Sequence, residues 1–178
     1  MIWSNWQLLA IDGIVKSDAD PNLYYLMVEG EPLILALYVD DLFLTGSSGL
    51  IEDCKPNLEI EFDMNDLGLM HYFLGFEARQ KDKEIFLGQG RYTTYILKRF
   101  KMQDCRPMST PMITNWKKMD ASNDKDVDPT LYRLLIGSLM YLVNTRPDIC
   151  FEVNTLSQFM VEPKRVHWVA ARHIMRYT

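Results

Sequence analysis

The sequence has 178 residues, of which 48% are hydrophobic, and its 19 basic and 24 acidic residues give a formal net charge of −5. This length and hydrophobic content suit one good-sized core or two small subdomains, and they exclude a disordered chain. The net charge excludes a protein that coats nucleic acid through overall positive charge, so any such binding must use local basic patches.

The cysteines and the hydropathy pattern bear on where the protein resides. Cys54, Cys105 and Cys150 are odd in number, far apart and without histidines at ligand spacing, which predicts reduced thiols. No basic start followed by an apolar core marks a signal peptide, and Asp40 and Asp41 interrupt the longest apolar run. We therefore expect an intracellular protein, cytoplasmic or nuclear, without a membrane partner.

The first stretch predicts a helix followed by a strand. Residues 1–14 carry apolar side chains at roughly helical spacing, which predicts a helix. After polar turn residues, the run 23–28 predicts a strand, and the turn 29–32 joins it to the next one.

Residues 33–46, LILALYVDDLFLTG, are two apolar runs separated by Asp40 and Asp41, which is typical of a β-hairpin with two acids at its bend. Carboxylates between apolar strands need water, a cation or a hydrogen-bond donor. An aspartate pair is also common in a structural turn, and a metal site usually needs further ligands. The pattern alone favours the structural turn and leaves the metal site open.

Two further helices and a hairpin follow. Residues 47–62 have an amphipathic pattern that predicts a helix on the sheet, with Pro56 expected to end or kink its first half. The runs 71–78 and 84–87 predict a hairpin, in which Gly75 marks a bend or a close approach by another backbone. A helix is then predicted over 92–102, with four inward residues: Tyr92, Tyr95, Ile96 and Phe100.

The last part of the sequence predicts helices only. Residues 106–128 combine prolines with polar and acidic residues without periodicity, which indicates a linker between a β-containing part, 1–105, and an all-helical part, 129–178. Helices are predicted over 130–144, 149–160 and 164–177.

One face of the last predicted helix is basic. Arg165, Arg172 and Arg176 lie on one side of it and Trp168 lies on another. Such a face is more often simply solvated, but the acidic total charge makes this local concentration of positive charge informative. The alternative is a surface that faces phosphate groups.

Several blocks of the sequence form a recognisable set. They are LYVDDLFLTG at 37–46, FDMNDLGLMHYFLGFE at 62–77, STPM at 109–112, YRLLIGSLMYLVNTRPDICF at 132–151 and LSQFMVEPKRVHWVAARHIMRY at 156–177. The tetrad at 38–41 resembles the YxDD box of reverse transcriptases. Together, and in this order, the blocks resemble the reverse transcriptase of copia-type long-terminal-repeat retrotransposons, closest to plant elements.

The resemblance implies an α+β fold that forms part of a right-hand polymerase. A partial palm, a mostly antiparallel sheet with a helix, would occupy 1–105, and a helical thumb-like region would occupy 129–178. Asp40 and Asp41 match the two catalytic palm acids, which in the full-length enzyme bind Mg²⁺ or Mn²⁺ for two-metal nucleotidyl transfer. Tyr38 matches a position near the primer end.

The resemblance also implies a primer–template duplex, RNA/DNA or DNA/DNA, and a deoxynucleotide as partners. The hairpin formed by Phe73, Leu74, Gly75, Phe76 and Glu77 resembles the primer grip. In the first thumb helix, four-residue steps place Arg133, Gly137 and Tyr141 on one face, and the resemblance implies that this face runs along the duplex minor groove. The basic residues Arg165, Arg172 and Arg176 would face phosphates.

Family members also have a third metal-binding aspartate and a fingers region, both upstream of the part matched here. We therefore expect this chain alone to be inactive as a polymerase, and it need not bind a metal by itself. Two hypotheses follow: a fragment of an RNA-directed DNA polymerase, or a non-catalytic remnant that acts only as a folded or nucleic-acid-binding module.

Overall fold

The computed structural model describes residues 13–81, 84–112 and 125–178, so the predicted helix at 1–14 lies almost wholly outside the described residues. The strands are β1 Val15–Lys16, β2 Leu23–Val28, β3 Glu31–Tyr38, β4 Asp41–Gly46, β5 Tyr72–Phe73, β6 Phe76–Lys81 and β7 Glu84–Gly88. The helices are α1 Ser48–Phe62, α2 Gly90–Arg99, α3 Pro129–Leu142, α4 Cys150–Ser157 and α5 Arg165–Tyr177, with a 3-10 turn at Pro147–Ile149. All strand pairs are antiparallel, which confirms the mixed α+β class.

The chain divides into two compact units, residues 1–70 and 71–178. Residues 71–105, which the sequence groups with the first part, belong to the second compact unit. The division into palm, linker and thumb-like regions remains a prediction.

The first unit is a four-stranded sheet in the order β1-β2-β3-β4 with α1 packed on one face. Its core contains Tyr24, Leu33, Leu35, Cys54 and Leu58. Alternation along β3 buries Leu33 and Leu35 against α1 and leaves Ile34 more exposed. In the described sheet β4 is an edge strand.

Helix α1 continues through Pro56, so the predicted end of the helix there is wrong, whereas the alternative of a kink stays a prediction. Proline removes one backbone donor from a helix interior, at a cost of about 3 kcal/mol. The neighbouring turns are fixed because Cys54 and Leu58, on either side of the proline, are buried against the sheet. This burial outweighs the local penalty.

The second unit combines a three-stranded sheet, β5-β6-β7, with helices α2 to α5. Its core is formed mainly by helix residues, including Tyr132, Leu135, Ile136, Leu139, Leu142, Ile149, Val153, Leu156, Ala170, Ala171 and Ile174. Helix α3 begins as the sequence predicts, since Pro129 occupies the first turn and the Asp128 carboxylate accepts the Thr130 N–H at 2.8 Å.

Two predicted details of this unit are corrected. The run 71–78 is not one strand, because a turn at Leu74 and Gly75 separates β5 from β6. Tyr95 does not face inward: it is 54% exposed, and the Arg99 guanidinium lies over its ring. Its apolar ring carries a polar tip, so it is stable at the surface.

The start of the predicted linker is ordered against α5. The Met108 N–H donates to the Arg176 carbonyl at 2.9 Å, and His173 Nε2 donates to the Thr110 carbonyl at 3.0 Å. Residues 113–124 of the predicted linker lie outside the described ranges.

Candidate metal and nucleic-acid site

The β3–β4 hairpin places the two predicted palm acids at its tip. Tyr38 pairs with Asp41, so Val39 and Asp40 are the two turn residues. Both aspartates are exposed to solvent. The hairpin and its acids are therefore found as predicted, whereas metal binding by Asp40 and Asp41 remains a prediction.

The turn has an uncommon backbone conformation at Val39, whose φ is 54°. A positive φ is costly for a β-branched residue, and hairpin turns that need it at the first central position prefer glycine. The pairing of β3 with β4 holds Val39 in this conformation. Such strain is concentrated at functional sites in many proteins.

Asp41 lies on the sheet face opposite α1. Paired residues of an antiparallel ladder share a face and successive residues alternate, so Tyr38 and Asp41 lie opposite the buried Leu33 and Leu35. That face also carries the exposed side chain of Tyr25. The acid thus borders an open, largely apolar surface.

Asp40 and Asp41 supply two carboxylates at this tip. Within the residues that the structure describes, no group of three or more His, Cys, Asp and Glu side chains could hold a metal ion. Mg²⁺ commonly binds through one or two carboxylates while waters and substrate phosphates fill its octahedral shell. Two exposed carboxylates fit such a partial ligand set.

The structure joins the predicted primer-grip turn to helix α3. Phe73 pairs with Phe76 across the β5–β6 turn, in which Leu74 and Gly75 both have positive φ, 49° and 83°. The Tyr141 hydroxyl donates a hydrogen bond to the Leu74 carbonyl. Residues that are 67 positions apart are thereby brought together.

Aromatic rings fix the side chain of Tyr141. Its ring meets that of Tyr92 edge-on at a centroid distance of 4.7 Å and lies 5.8 Å from that of Phe76. The Tyr92 hydroxyl donates to the Ser138 carbonyl at 3.1 Å, and burial raises the pKa of Tyr92. Phe76 belongs to the predicted primer-grip hairpin, whereas the helical pattern predicted only that Tyr92 faces inward and did not connect it with this site.

The remaining predicted residues of α3 are exposed. Arg133 and Gly137 both face solvent, and a Cβ atom built at Gly137 would meet nothing within 4 Å. Arg133 makes a long contact of 3.5 Å with the Met160 carbonyl. The predicted face of α3 is therefore open, and its use by a duplex remains a prediction.

The arginines of α5 have different surroundings. Arg165 is exposed, whereas Arg172 and Arg176 are half-buried. Arg172 Nε donates to Met102 Sδ at 3.3 Å, and Arg176 Nε donates to the Arg106 carbonyl at 2.8 Å. The last two guanidinium groups are thus held in place, which the helical pattern alone did not indicate.

Lys164, just before α5, is paired within the chain. Its ammonium group lies 2.7 Å from both the Asp126 and Glu162 carboxylates, and the hydrogen bonds that it donates to them raise the pKa of Lys164. The two carboxylates are exposed, so the pairs contribute little to stability. They nevertheless offset the positive charge of Lys164.

Comparison with known proteins identifies the family. A sequence model of the family described as reverse transcriptase (RNA-dependent DNA polymerase) matches residues 6–114, which include both acids of the hairpin tip and the β5–β6 turn. This chain belongs to the reverse transcriptase family. The resemblance inferred from the sequence blocks is confirmed.

Similar proteins include transposon polyproteins and a mitochondrial protein. The chain is 39% identical over 166 residues to the retrovirus-related Pol polyprotein from transposon RE2 of Arabidopsis thaliana, a match that covers 93% of this chain and 11% of the relative. It is 36% identical over 174 residues to the corresponding polyprotein from transposon TNT 1-94 of Nicotiana tabacum, covering 92% of this chain and 13% of that one. An uncharacterized mitochondrial protein of Arabidopsis thaliana is 40% identical over 146 residues, or 82% of this chain and 60% of the relative.

The chain spans about a tenth of the length of the transposon polyproteins that it matches. It therefore represents a fragment of the reverse transcriptase domain of such a polyprotein. No solved structure matches the chain. Among the described residues, no helix is both long enough and apolar enough to cross a bilayer.

Proposed function

We propose that Asp40 and Asp41 provide two of the carboxylate ligands with which the complete reverse transcriptase domain binds Mg²⁺ or Mn²⁺. The bound metal would support template-directed addition of deoxynucleotides to a primer. The observation that carries this proposal is the exposed acid pair at the tip of the β3–β4 hairpin, inside the segment that the family model matches. Hard divalent cations prefer such carboxylate oxygens, and two-metal catalysis uses them to position the attacking and leaving oxygens.

The primer–template duplex would contact the second unit. The β5–β6 turn presents Leu74 beside Tyr141, and α3 extends this surface with the exposed Arg133 and Gly137. Gly137 allows a sugar–phosphate backbone to come close, while the Arg133 guanidinium can pair with a phosphate. These contacts would position a duplex without selecting its sequence.

A paramagnetic titration tests the metal site. Mn²⁺ added to the isotopically labelled chain is expected to broaden the backbone amide signals of residues 38–43 before others, because its unpaired electrons relax nearby nuclei. The variant Asp40→Asn/Asp41→Asn should abolish this selective broadening.

A second acid pair in the same unit provides the control. Asp18 and Asp20 lie in a turn in which the Asp20 carboxylate accepts the Asn22 N–H at 2.9 Å. The variant Asp18→Asn/Asp20→Asn should leave the broadening at the hairpin tip unchanged. Broadening that starts at the Asp18 turn, or that persists without the tip acids, would contradict the metal assignment.

Fluorescence anisotropy with a labelled RNA/DNA duplex tests the second surface. Arg133→Glu is expected to weaken binding and to reduce the dependence of log K on log salt by about one, since one phosphate contact is lost. Arg79→Glu, an equally large charge change on the exposed side of β6, should change both quantities less. Equal effects of the two substitutions would show that only the overall charge matters. Duplex binding without the metal site would instead favour a non-catalytic binding module.

A further inference from the structure

A groove lies between α5 and the chain segment that follows α2. It has a volume of about 380 Å³, and its lining includes Arg106, Trp168, Arg172, His173 and Arg176. This volume falls within the range of pockets that take small organic ligands. None of the lining side chains is a carboxylate, although the whole chain carries a net charge of −5.

Two arginines that line the groove are held through their Nε atoms. Arg172 Nε donates a hydrogen bond to Met102 Sδ. Arg176 Nε donates one to the Arg106 carbonyl. Among the described residues, the structure shows no ion pair for either guanidinium group. An arginine held through Nε keeps its terminal nitrogens available for the oxygen atoms of an anion, and it loses little side-chain entropy on binding.

The groove also has an aromatic wall, because Trp168 lies beside Arg172 and Arg176 and not on another side of the helix, so that part of the sequence prediction is wrong. The Trp168 side chain is half-buried, and its ring meets that of Phe100 edge-on at a centroid distance of 6.5 Å. Val169 and Cys105 add apolar surface beside it. A planar heterocycle can stack on an indole held in this way, and any nucleobase can do so because each has a π-face.

We infer that this groove binds one unpaired nucleotide unit of a single-stranded nucleic acid, with its phosphate between Arg172 and Arg176 and its base against Trp168. A single strand is favoured over a duplex because duplex bases are stacked inside the helix, and only an unpaired base can enter a concave site to reach an indole ring. The inference rests on the proposed nucleic-acid-binding function and adds a site separate from the α3 face.

Binding of oligonucleotides to the complete chain tests the groove. The probes are a fluorescein-labelled single-stranded oligothymidylate and an abasic strand with the same number of phosphates. The wild-type chain is expected to bind the oligothymidylate at least about fivefold more tightly, because stacking of a base on an aromatic ring contributes about 1–3 kcal/mol. This preference should disappear in Trp168→Leu and be largely kept in Trp168→Phe, which retains an aromatic ring.

Charge variants separate the groove from the rest of α5. Arg172→Gln/Arg176→Gln should weaken oligothymidylate binding at least about tenfold and lower its salt slope by about 1.4, the value for two lost phosphate contacts on a single strand. Arg165→Gln, on the same helix and exposed, should cost clearly less than either groove substitution made singly. Arg172→Lys/Arg176→Lys should keep most of the salt slope while losing part of the affinity, since lysine retains the charge and not the fork geometry. Circular dichroism shows whether each variant remains folded.

Equal affinity for the abasic strand, or an equal loss in Arg165→Gln, would overturn the inference. If the groove variants bind single strands normally while Arg133→Glu still weakens duplex binding, the groove inference fails and the proposed duplex surface stands. If the wild-type chain binds neither probe nor duplex, both are wrong.

Discussion

Gly75 is the position at which one added methyl group tests the link between the β5–β6 turn and α3. A Cβ atom built there would collide with the Tyr141 hydroxyl and would lie 3.3 Å from Tyr141 Cζ. Its φ of 83° is also unfavourable for any L-residue. Gly75→Ala therefore adds backbone strain and displaces the ring that holds the turn.

The size of the effect follows from these contacts. The positive φ costs about 1 kcal/mol. Displacing the Tyr141 hydroxyl loses its hydrogen bond to the Leu74 carbonyl, which contributes about 1 kcal/mol. Partial loss of the edge-on contact with Tyr92 adds about 0.5–1 kcal/mol. We expect Gly75→Ala to lower the free energy of unfolding of the second unit by about 2–3 kcal/mol.

A double-mutant cycle isolates the contact from the strain. Tyr141→Phe removes the hydroxyl that would collide, so Gly75→Ala should cost about 1 kcal/mol less in that background. Gly68→Ala supplies a control for φ alone, because Gly68 has a φ of 74° and its added Cβ would meet nothing within 4 Å. Urea unfolding followed by NMR signals from each unit gives the free energies separately. Additive effects of Gly75→Ala and Tyr141→Phe would refute the proposed contact.

Two further predictions concern the hairpin tip and the acid limb of stability. Val39→Gly should stabilise the first unit by about 0.5–1 kcal/mol in urea unfolding, since the relief of backbone strain exceeds the entropy cost of glycine. Val39→Ala keeps a side chain at the positive φ and should stabilise the unit less. A loss of stability in Val39→Gly would show that Val39 is unstrained. Hydrogen bonds from Arg146, at 2.9 Å, hold the pKa of Asp148 at about 2. The ionised carboxylate thus favours the folded state: its contribution is complete above about pH 4 and is lost as the pH falls towards 2. This contribution is less than about 1 kcal/mol because the ion pair is partly exposed. Asp148→Asn should therefore make the free energy of unfolding depend less on pH between about 4 and 2. An unchanged pH dependence in this variant would contradict the prediction.

The β3–β4 hairpin of the first unit was predictable because the residues that specify it are neighbours in the sequence. Alternating apolar residues on both sides of an acid pair specify strands, a turn and a buried face, and the structure places Leu33 and Leu35 as that pattern requires. The caps of α3 are equally local, since Asp128 and Pro129 act within one turn.

The features that sequence reasoning missed depend on distant contacts. The glycine at position 75 correctly indicated a bend, but the group that approaches it is the Tyr141 side chain and not another backbone. No sequence pattern links Leu74 with Tyr141, which lies 67 positions further along the chain. The helix through Pro56 was missed for a similar reason, because burial against the sheet outweighs a local rule.

The pairing of Lys164 makes the distribution of charge along α5 uneven. At the beginning of the helix, Asp126 and Glu162 pair with Lys164 and offset its charge. At its far end Arg172 and Arg176 lie together, and they also oppose the partial negative charge of the helix C-terminus. Electrostatic attraction should therefore guide a polyanion to the last two turns of α5. The same attraction would orient a nucleic-acid strand before any contact forms.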